Sequence, residues 1–249
     1  MSGTQKRRLF SLRNLLRLVR DVKNWYDVLL YHTGMRKAVV VRFRNGVRIR
    51  YIPQFFQVSL FSRHEDPFWF LGRRVEGRDV LDVGASIGDT SIHFARRGAK
   101  RVVALEPFPR LYHEALLNVE LNKMRNIIVL NKALGGKQRT IRIPPDFLGD
   151  LSNEAHDYSM GQTVEVTTLR SITDEFGMED AVLKMNCEGC EYEALLSSDE
   201  EALRRFSDVL LYYHKGRSPL DEFMVRMGFE CQTIFDHPVQ GTLWFYSKR

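Results

Sequence analysis

No apolar run in the 249 residues is long enough to span a membrane. The basic N-terminus has no apolar signal core with a small-residue cleavage site. Cysteine is scarce: three residues make no disulfide framework, and this usage points to a cytoplasmic protein. Internal repeats and low-complexity tracts are missing, which excludes solenoid and linker architectures. A G-x-G-x-x-G turn is also missing, which argues against a dinucleotide site. What remains is a globular composition, 44% hydrophobic and 27% charged, with length enough to bury an α/β core. The net charge of +6 favours an acidic partner such as RNA or an anionic membrane surface.

The stretch D-V-L-D-V-G-A-S-I-G-D-T, residues 79–90, organises the chain. Residues 79–83 read as a short buried strand, Gly84 and Gly88 form a turn, and a helical pattern runs from Asp89 to a stop at Gly98. Glycines at such a turn let backbone approach a ligand, and the helix start presents its N–H groups to it. The spacing is G-x-x-x-G, and Asp82 stands two residues before the first glycine. An acid there repels a pyrophosphate but suits the cationic amino group and sulfonium of S-adenosylmethionine. Glu106 ends the next predicted strand, 101–105, about 20 residues after the turn, where a carboxylate accepts ribose hydroxyls. Asp82, Gly84, Ala85, Ser86, Gly88, Thr90, Glu106 and Pro107 are therefore the candidate cofactor residues, joined by Lys132 and Ala133 at the carboxyl end of a predicted strand at 127–130. The plain alternative is a βαβ unit with a glycine turn and two surface acids.

Residues 6–31 form a basic helical region, with Leu9, Leu12, Leu15, Leu16, Val19 and Val22 at helical spacing and arginines between them. Such a helix either packs its apolar stripe on the protein or lies on an anionic membrane as a peripheral contact. Segments 39–44 and 47–52 alternate around Asn45-Gly46, the strongest short hairpin signal. The aromatic stretch 54–72 reads as core, or as a lid. Residues 1–76 are taken as an N-terminal extension and 77–249 as the catalytic-type domain, where strands and helices alternate as in a parallel sheet. Further strands are predicted at 140–143, 163–167, 181–185 and 209–213, with helices at 110–122 and 219–227. The polar stretch 144–162 is a substrate-loop candidate. Strands at 229–235 and 242–246 close the chain as a hairpin, making the last strand antiparallel.

Lys184, Asn186, Glu188 and Glu191 cluster after the strand at 181–185, and His214 follows the strand at 209–213. Polar groups at strand ends of a doubly wound sheet face the ligand crevice. Cys187 and Cys190 lie in the same stretch as a C-x-x-C. A structural metal wants four ligands, so no metal is expected, and two small buried residues at a turn is the plainer reading, with thioredoxin-type redox chemistry as the alternative.

Taken together, V-L-D-V-G-A-S-I-G-D-T, A-L-E-P-F-P, L-K-M-N-C-E-G-C-E-Y and Y-Y-H-K-G resemble successive motifs of the FkbM family of S-adenosylmethionine-dependent methyltransferases. N-W-Y-D-V-L-L-Y resembles archaeal members, and the likeness runs from about Asn24 to the end. The resemblance implies an α/β fold, a doubly wound, Rossmann-like class I methyltransferase sheet of seven strands with the last antiparallel. It also implies O-methylation of a sugar, glycan or lipid-linked hydroxyl, with Lys184, Glu188 and His214 at the reacting end beside Asn186. The chain departs from the family pattern by carrying Asn186 for an Asp, and Tyr212 for a Glu two residues before the His. With both acids replaced, His214 is the expected base and Glu188 the group that orients the acceptor. The rival readings are an RNA methyltransferase, against which stands the lack of an N-P-P-Y motif, and a cofactor-binding protein without turnover.

Overall fold

The computed structural model describes residues 12–53, 74–147 and 155–247, with the side chains of 12–14 also outside the description. The first part of the basic helical region, the whole aromatic stretch 54–72 and the middle of the 144–162 loop thus lie outside the described residues.

Five strands run parallel in the main sheet: β3 (Asp79–Val83), β4 (Arg101–Leu105), β5 (Ile127–Leu130), β9 (Ala181–Met185) and β10 (Phe206–Tyr213). Two more, β11 (Phe229–Phe235) and β12 (Gly241–Ser247), complete the order β11-β12-β10-β9-β3-β4-β5. The final strand β12 inserts antiparallel between β10 and β11, as the closing hairpin implied. β3 and β9 are buried along their whole length, which is why both read as near-continuous apolar runs. The chain winds from β3 outward to β5, then returns to β9 beside β3. The switch in direction opens a crevice beyond the carboxyl ends of β3 and β9.

Helices α3 (Asp89–Arg96) and α4 (Pro109–Leu121) follow β3 and β4. Helix α5 (Leu169–Phe176) precedes β9, and α6 (Cys190–Leu196), α7 (Glu200–Arg204) and α8 (Ser218–Arg226) follow the later strands. Pro109 sits at the first turn of α4, where its missing N–H costs nothing. A second, three-stranded sheet was not expected in full. β7 (Arg139–Ile143) and β8 (Gln162–Thr167) pair antiparallel as the alternation suggested, but β6 (Lys132–Leu134) adds parallel to β8. Lys132 and Ala133, expected just past the end of the strand at 127–130, therefore lie in a strand of their own.

The basic helical region expected over 6–31 is two helices where it is described, α1 (Leu12–Asp21) and α2 (Trp25–His32). Tertiary pairing breaks it. Val22 bridges Phe43, the Lys23 N–H donates to Arg42 O, and the Asn24 side chain donates to Val40 O and accepts from the Arg42 N–H. The partner is the predicted hairpin, β1 (Val40–Arg42) and β2 (Arg48–Arg50), turned at Asn45-Gly46 with Gly46 at φ +94°. The hairpin docks on α4: the N–H groups of Arg48 and Arg50 donate to Asn122 and Asn118, and the Arg50 guanidinium pairs with Glu114. Leu18, Val22, Val41, Phe43 and Ile49 belong to the same apolar core as Val80, Ile92 and Val102. Leu16 and Val19 of α1 are exposed. Among the described residues no helix is long and apolar enough to cross a membrane.

Candidate active site

The turn after β3 is held by the fold rather than left open. Gly84 adopts φ +73°, and a Cβ there would lie 2.0 Å from the main-chain oxygen of Asn186. Gly88 adopts φ +79° and packs on Ala115 of α4. These glycines clear the neighbouring chain, which the sequence-based expectation of ligand approach did not foresee. The amides are engaged as well. Gly84 and Ala85 both donate to Leu105 O, Ser86 to Glu106 Oε2, and Gly88 to Ala85 O. Free N–H groups were expected at the helix start, and these four turn amides ahead of it are paired. A phosphate cradle needs free amides, so the geometry disfavours a phosphate ligand here and agrees with the dinucleotide exclusion.

Asp82 lies beneath the turn with no exposure. Its Oδ1 pairs with Lys184 Nζ at 2.8 Å, and its Oδ2 accepts from Thr90 Oγ1 and Ser91 Oγ, both at 2.6 Å. Lys184 Nζ also donates to Gly84 O and Val83 O. Lys184, Asp82 and Thr90 thus brace the strand end and the turn. Lys184 was expected at the reacting end, but its ammonium has three partners inside the fold.

Glu106 reaches the rim from β4, 3% exposed, with Oε2 accepting from Ser86 N–H and Oε1 from Phe108 N–H. Burial pushes its carboxyl up to about 7 against those two hydrogen bonds. Asp89, at the start of α3, is likewise pushed up to about 6 by burial. Three buried carboxylates, Asp82, Asp89 and Glu106, thus lie within the field of one ammonium, Lys184, which pairs directly with Asp82. A cationic ligand with hydroxyls supplies the charge and donors this cluster lacks, so the residues fit S-adenosylmethionine. Asn131 closes that side: its Nδ2 donates to the carbonyls of Glu106 and Pro107. Lys132, proposed from sequence for the cofactor, turns its ammonium to Glu165 and Glu175, and Ala133 is buried in the second sheet. Sequence reasoning missed Asp89, for which an acid in the first turn after the glycines was the available signal; Asn131 begins the stretch 131–134 that the sequence placed beside the adenine, though only Lys132 and Ala133 were taken from it as cofactor residues.

His214, just past β10, sits between two carboxylates. Nδ1 is 2.8 Å from Glu191 Oε1, and Nε2 is 3.3 Å from Glu188 Oε2. Glu191 is completely buried and its Oε2 accepts the Gly189 N–H. Burial opposes the imidazolium, but the hydrogen bonds to Glu188 and Glu191 outweigh it and push His214 up to about 9. The ordinary value near neutrality, on which the sequence expectation rested, does not survive this placement. Tyr192 holds the same loop, donating to Gly216 O and accepting the Lys215 N–H. Tyr212 is no base, because burial raises its phenol further. Asn186 contributes its main chain, donating to Val83 O and lying against Gly84.

Cys187 and Cys190 are joined as a disulfide across the turn that carries Glu188, correcting the reading of two small buried residues. Both are only half-buried. Their sulfurs and a Glu191 oxygen all lie within 4.8 Å of one another, but disulfide sulfurs are not thiolate ligands. A cleft of about 150 Å³ between Gly136, Arg170, Ser197 and Asp199 lies at the far end of α6 from these groups, and Arg170 there is already paired with Asp199 and Glu201.

The methyltransferase FkbM domain model matches residues 82–234, from the acid under the glycine turn through the His214 loop to β11. The chain belongs to the FkbM methyltransferase family. Its main sheet has the class I, Rossmann-like methyltransferase fold. A solved S-adenosylmethionine-dependent methyltransferase from Agrobacterium tumefaciens superposes with a TM-score of 0.51 at 11% identity, over 86% of this chain and 71% of that one. The tRNA m1G37 methyltransferase of M. jannaschii gives a TM-score of 0.49 at 15% identity, over 86% of this chain and 58% of that one. The ribosomal protein L11 methyltransferase of Anoxybacillus flavithermus is 42% identical over 57 residues, which is 23% of this chain and 18% of that relative's length.

Proposed function

We propose that this FkbM-family enzyme methylates a hydroxyl of a sugar, glycan or lipid-linked acceptor. S-adenosylmethionine supplies an activated methyl group, so the protein must align the acceptor and relieve it of a proton. In this reading Glu106 accepts the ribose hydroxyls, Asp89 provides negative charge toward the cationic end, and the Asp82–Lys184 pair keeps the turn in place. Asn131 fixes the backbone on the adenine side. The single observation that carries the hydroxyl reading is the Glu188–His214–Glu191 array, three titratable groups in hydrogen-bond reach at the rim of β9 and β10. Glu191 sets the ring orientation through Nδ1, and Nε2 takes the acceptor proton once the ring is neutral.

An RNA acceptor is the second reading, favoured by the net charge of +6. The testing experiment is transfer of a labelled methyl group to fractionated glycans, lipids and RNA. Label in the glycan or lipid fraction, lost on His214→Ala, supports the proposal. Label in RNA alone overturns it.

A further inference from the structure

The Cys187–Cys190 disulfide joins the two ends of the site. Gly84 of the cofactor turn packs so closely on this segment that a Cβ there would lie 3.3 Å from Cys187 Cα, besides its clash with Asn186 O. Between the cysteines stands Glu188 at φ +59°, a left-handed conformation that a non-glycine residue adopts only when its surroundings impose it. Glu188 and Glu191 are the two carboxylates on His214. Cys187 Sγ also lies 3.4 Å from Glu191 Oε2. The bond therefore staples a turn that packs on the methyl-donor loop on one side and holds the histidine on the other. Both sulfur-bearing residues are half-buried, within reach of a small thiol.

We infer that Cys187 and Cys190 form a reversible thiol–disulfide site whose oxidation state sets the assembly of the active site. The oxidised pair holds Glu188 and Glu191 on His214 and supports Gly84. The reduced pair lets the 187–190 turn relax. The exchange partner is a small disulfide or dithiol. In oxidation one cysteine thiolate attacks the small disulfide, forming a mixed disulfide and releasing one small thiol. The second cysteine thiolate then attacks the mixed bond, closing Cys187–Cys190 and releasing the other small thiol. Two electrons pass to the small disulfide, and the cysteine protons end on the released thiols. Reduction runs the same steps backwards. In the dithiol form the Cys187 S–H is placed to donate to Glu191 Oε2, which already accepts the Gly189 N–H, so the carboxylate that holds His214 through Oε1 gains a further donor. Cys231 takes no part: it lies away from the turn, near Asp221, and burial raises its thiol to about 11.

The test uses the whole protein in buffers of graded reduced to oxidised dithiothreitol. Alkylation and mass measurement count free thiols, and calorimetry measures S-adenosylhomocysteine affinity at each ratio. The expected result is a two-electron transition confined to Cys187 and Cys190, with affinity falling about five-fold or more in the dithiol state, the low end of site-to-site couplings. Cys187→Ser with Cys190→Ser should bind like the reduced protein in every buffer. Cys190→Ala serves the same purpose if the double variant fails to fold. The inference is overturned if the two thiols stay free under excess oxidant, if a metal ion is found holding them, or if affinity in the unmutated protein ignores their oxidation state. The thiol count is independent of the acceptor, so its failure and a failure of the O-methylation reading are separate results.

Discussion

Lys184 and Asp82 form a buried ion pair directly beneath the glycine turn, Nζ to Oδ1 at 2.8 Å, with side-chain exposures of 2% and 0%. A buried pair of this kind is strongly destabilising to break, because the survivor keeps its charge without a partner. Lys184→Met should lower unfolding free energy by about 3–5 kcal/mol in chemical denaturation. Adding Asp82→Asn should recover part of the loss. If Lys184→Met leaves stability untouched and reduces only turnover, Lys184 belongs to the reacting end after all.

Glu106 is the acid whose contact with the cofactor is most directly measurable. Replacing it by Ala should weaken S-adenosylhomocysteine binding by about 1.5–3 kcal/mol, the usual worth of a hydrogen bond to a charged group. Calorimetry reads this directly. Unchanged affinity would place the ribose elsewhere.

Three groups make the cofactor-free protein less stable as pH rises. Glu106 moves from its ordinary 4.5 to about 7 and Asp89 from 3.8 to about 6, both through burial. Each holds a proton in the fold that the unfolded chain has already lost, so its contribution is full below the unfolded value and disappears as pH passes the folded one. His214, raised from 6.5 to about 9, contributes fully below 6.5 and loses that contribution as pH passes 9. Denaturation curves between pH 5 and 9 should show a steady fall. Glu106→Gln should flatten the lower part and His214→Ala the upper part. A rise across this window would contradict the burial of both acids.

If His214 accepts the acceptor proton, turnover should climb with pH and level off near 9, not near 6.5. His214→Ala should cost roughly 10²–10⁴ in turnover with cofactor affinity retained. Glu188→Gln should shift the rise to lower pH by removing one of the two carboxylates that favour the imidazolium. A flat profile in the unmutated enzyme would assign the proton to another group.

Leu18 tests whether the basic N-terminal helix belongs to the core. It is 6% exposed, while Leu16 of the same helix is 62% exposed. Leu18→Ala should destabilise by about 2–5 kcal/mol and Leu16→Ala by far less. Equal small effects would mean that α1 rests loosely on the hairpin.

The sequence by itself determined the parallel sheet, the glycine turn, the two acids at strand ends, the Asn45-Gly46 hairpin and the antiparallel last strand. These follow from patterns within a few residues of one another, where period, turn chemistry and apolar runs act locally. Only the tertiary structure decided which polar groups are engaged inside the fold and which face the crevice. Lys184 and Asp82 are 102 residues apart in number and meet because β3 and β9 are neighbours. The same holds for His214 and Glu191, brought together by the β10 and α6 ends, whose contact moves the histidine's titration to about 9. The basic helical region broke in two because the hairpin edge captured Val22 and Asn24, and Lys132 joined a strand because β8 lay beside it. Burial and long-range partners set these outcomes, and neither is encoded in the spacing of adjacent residues.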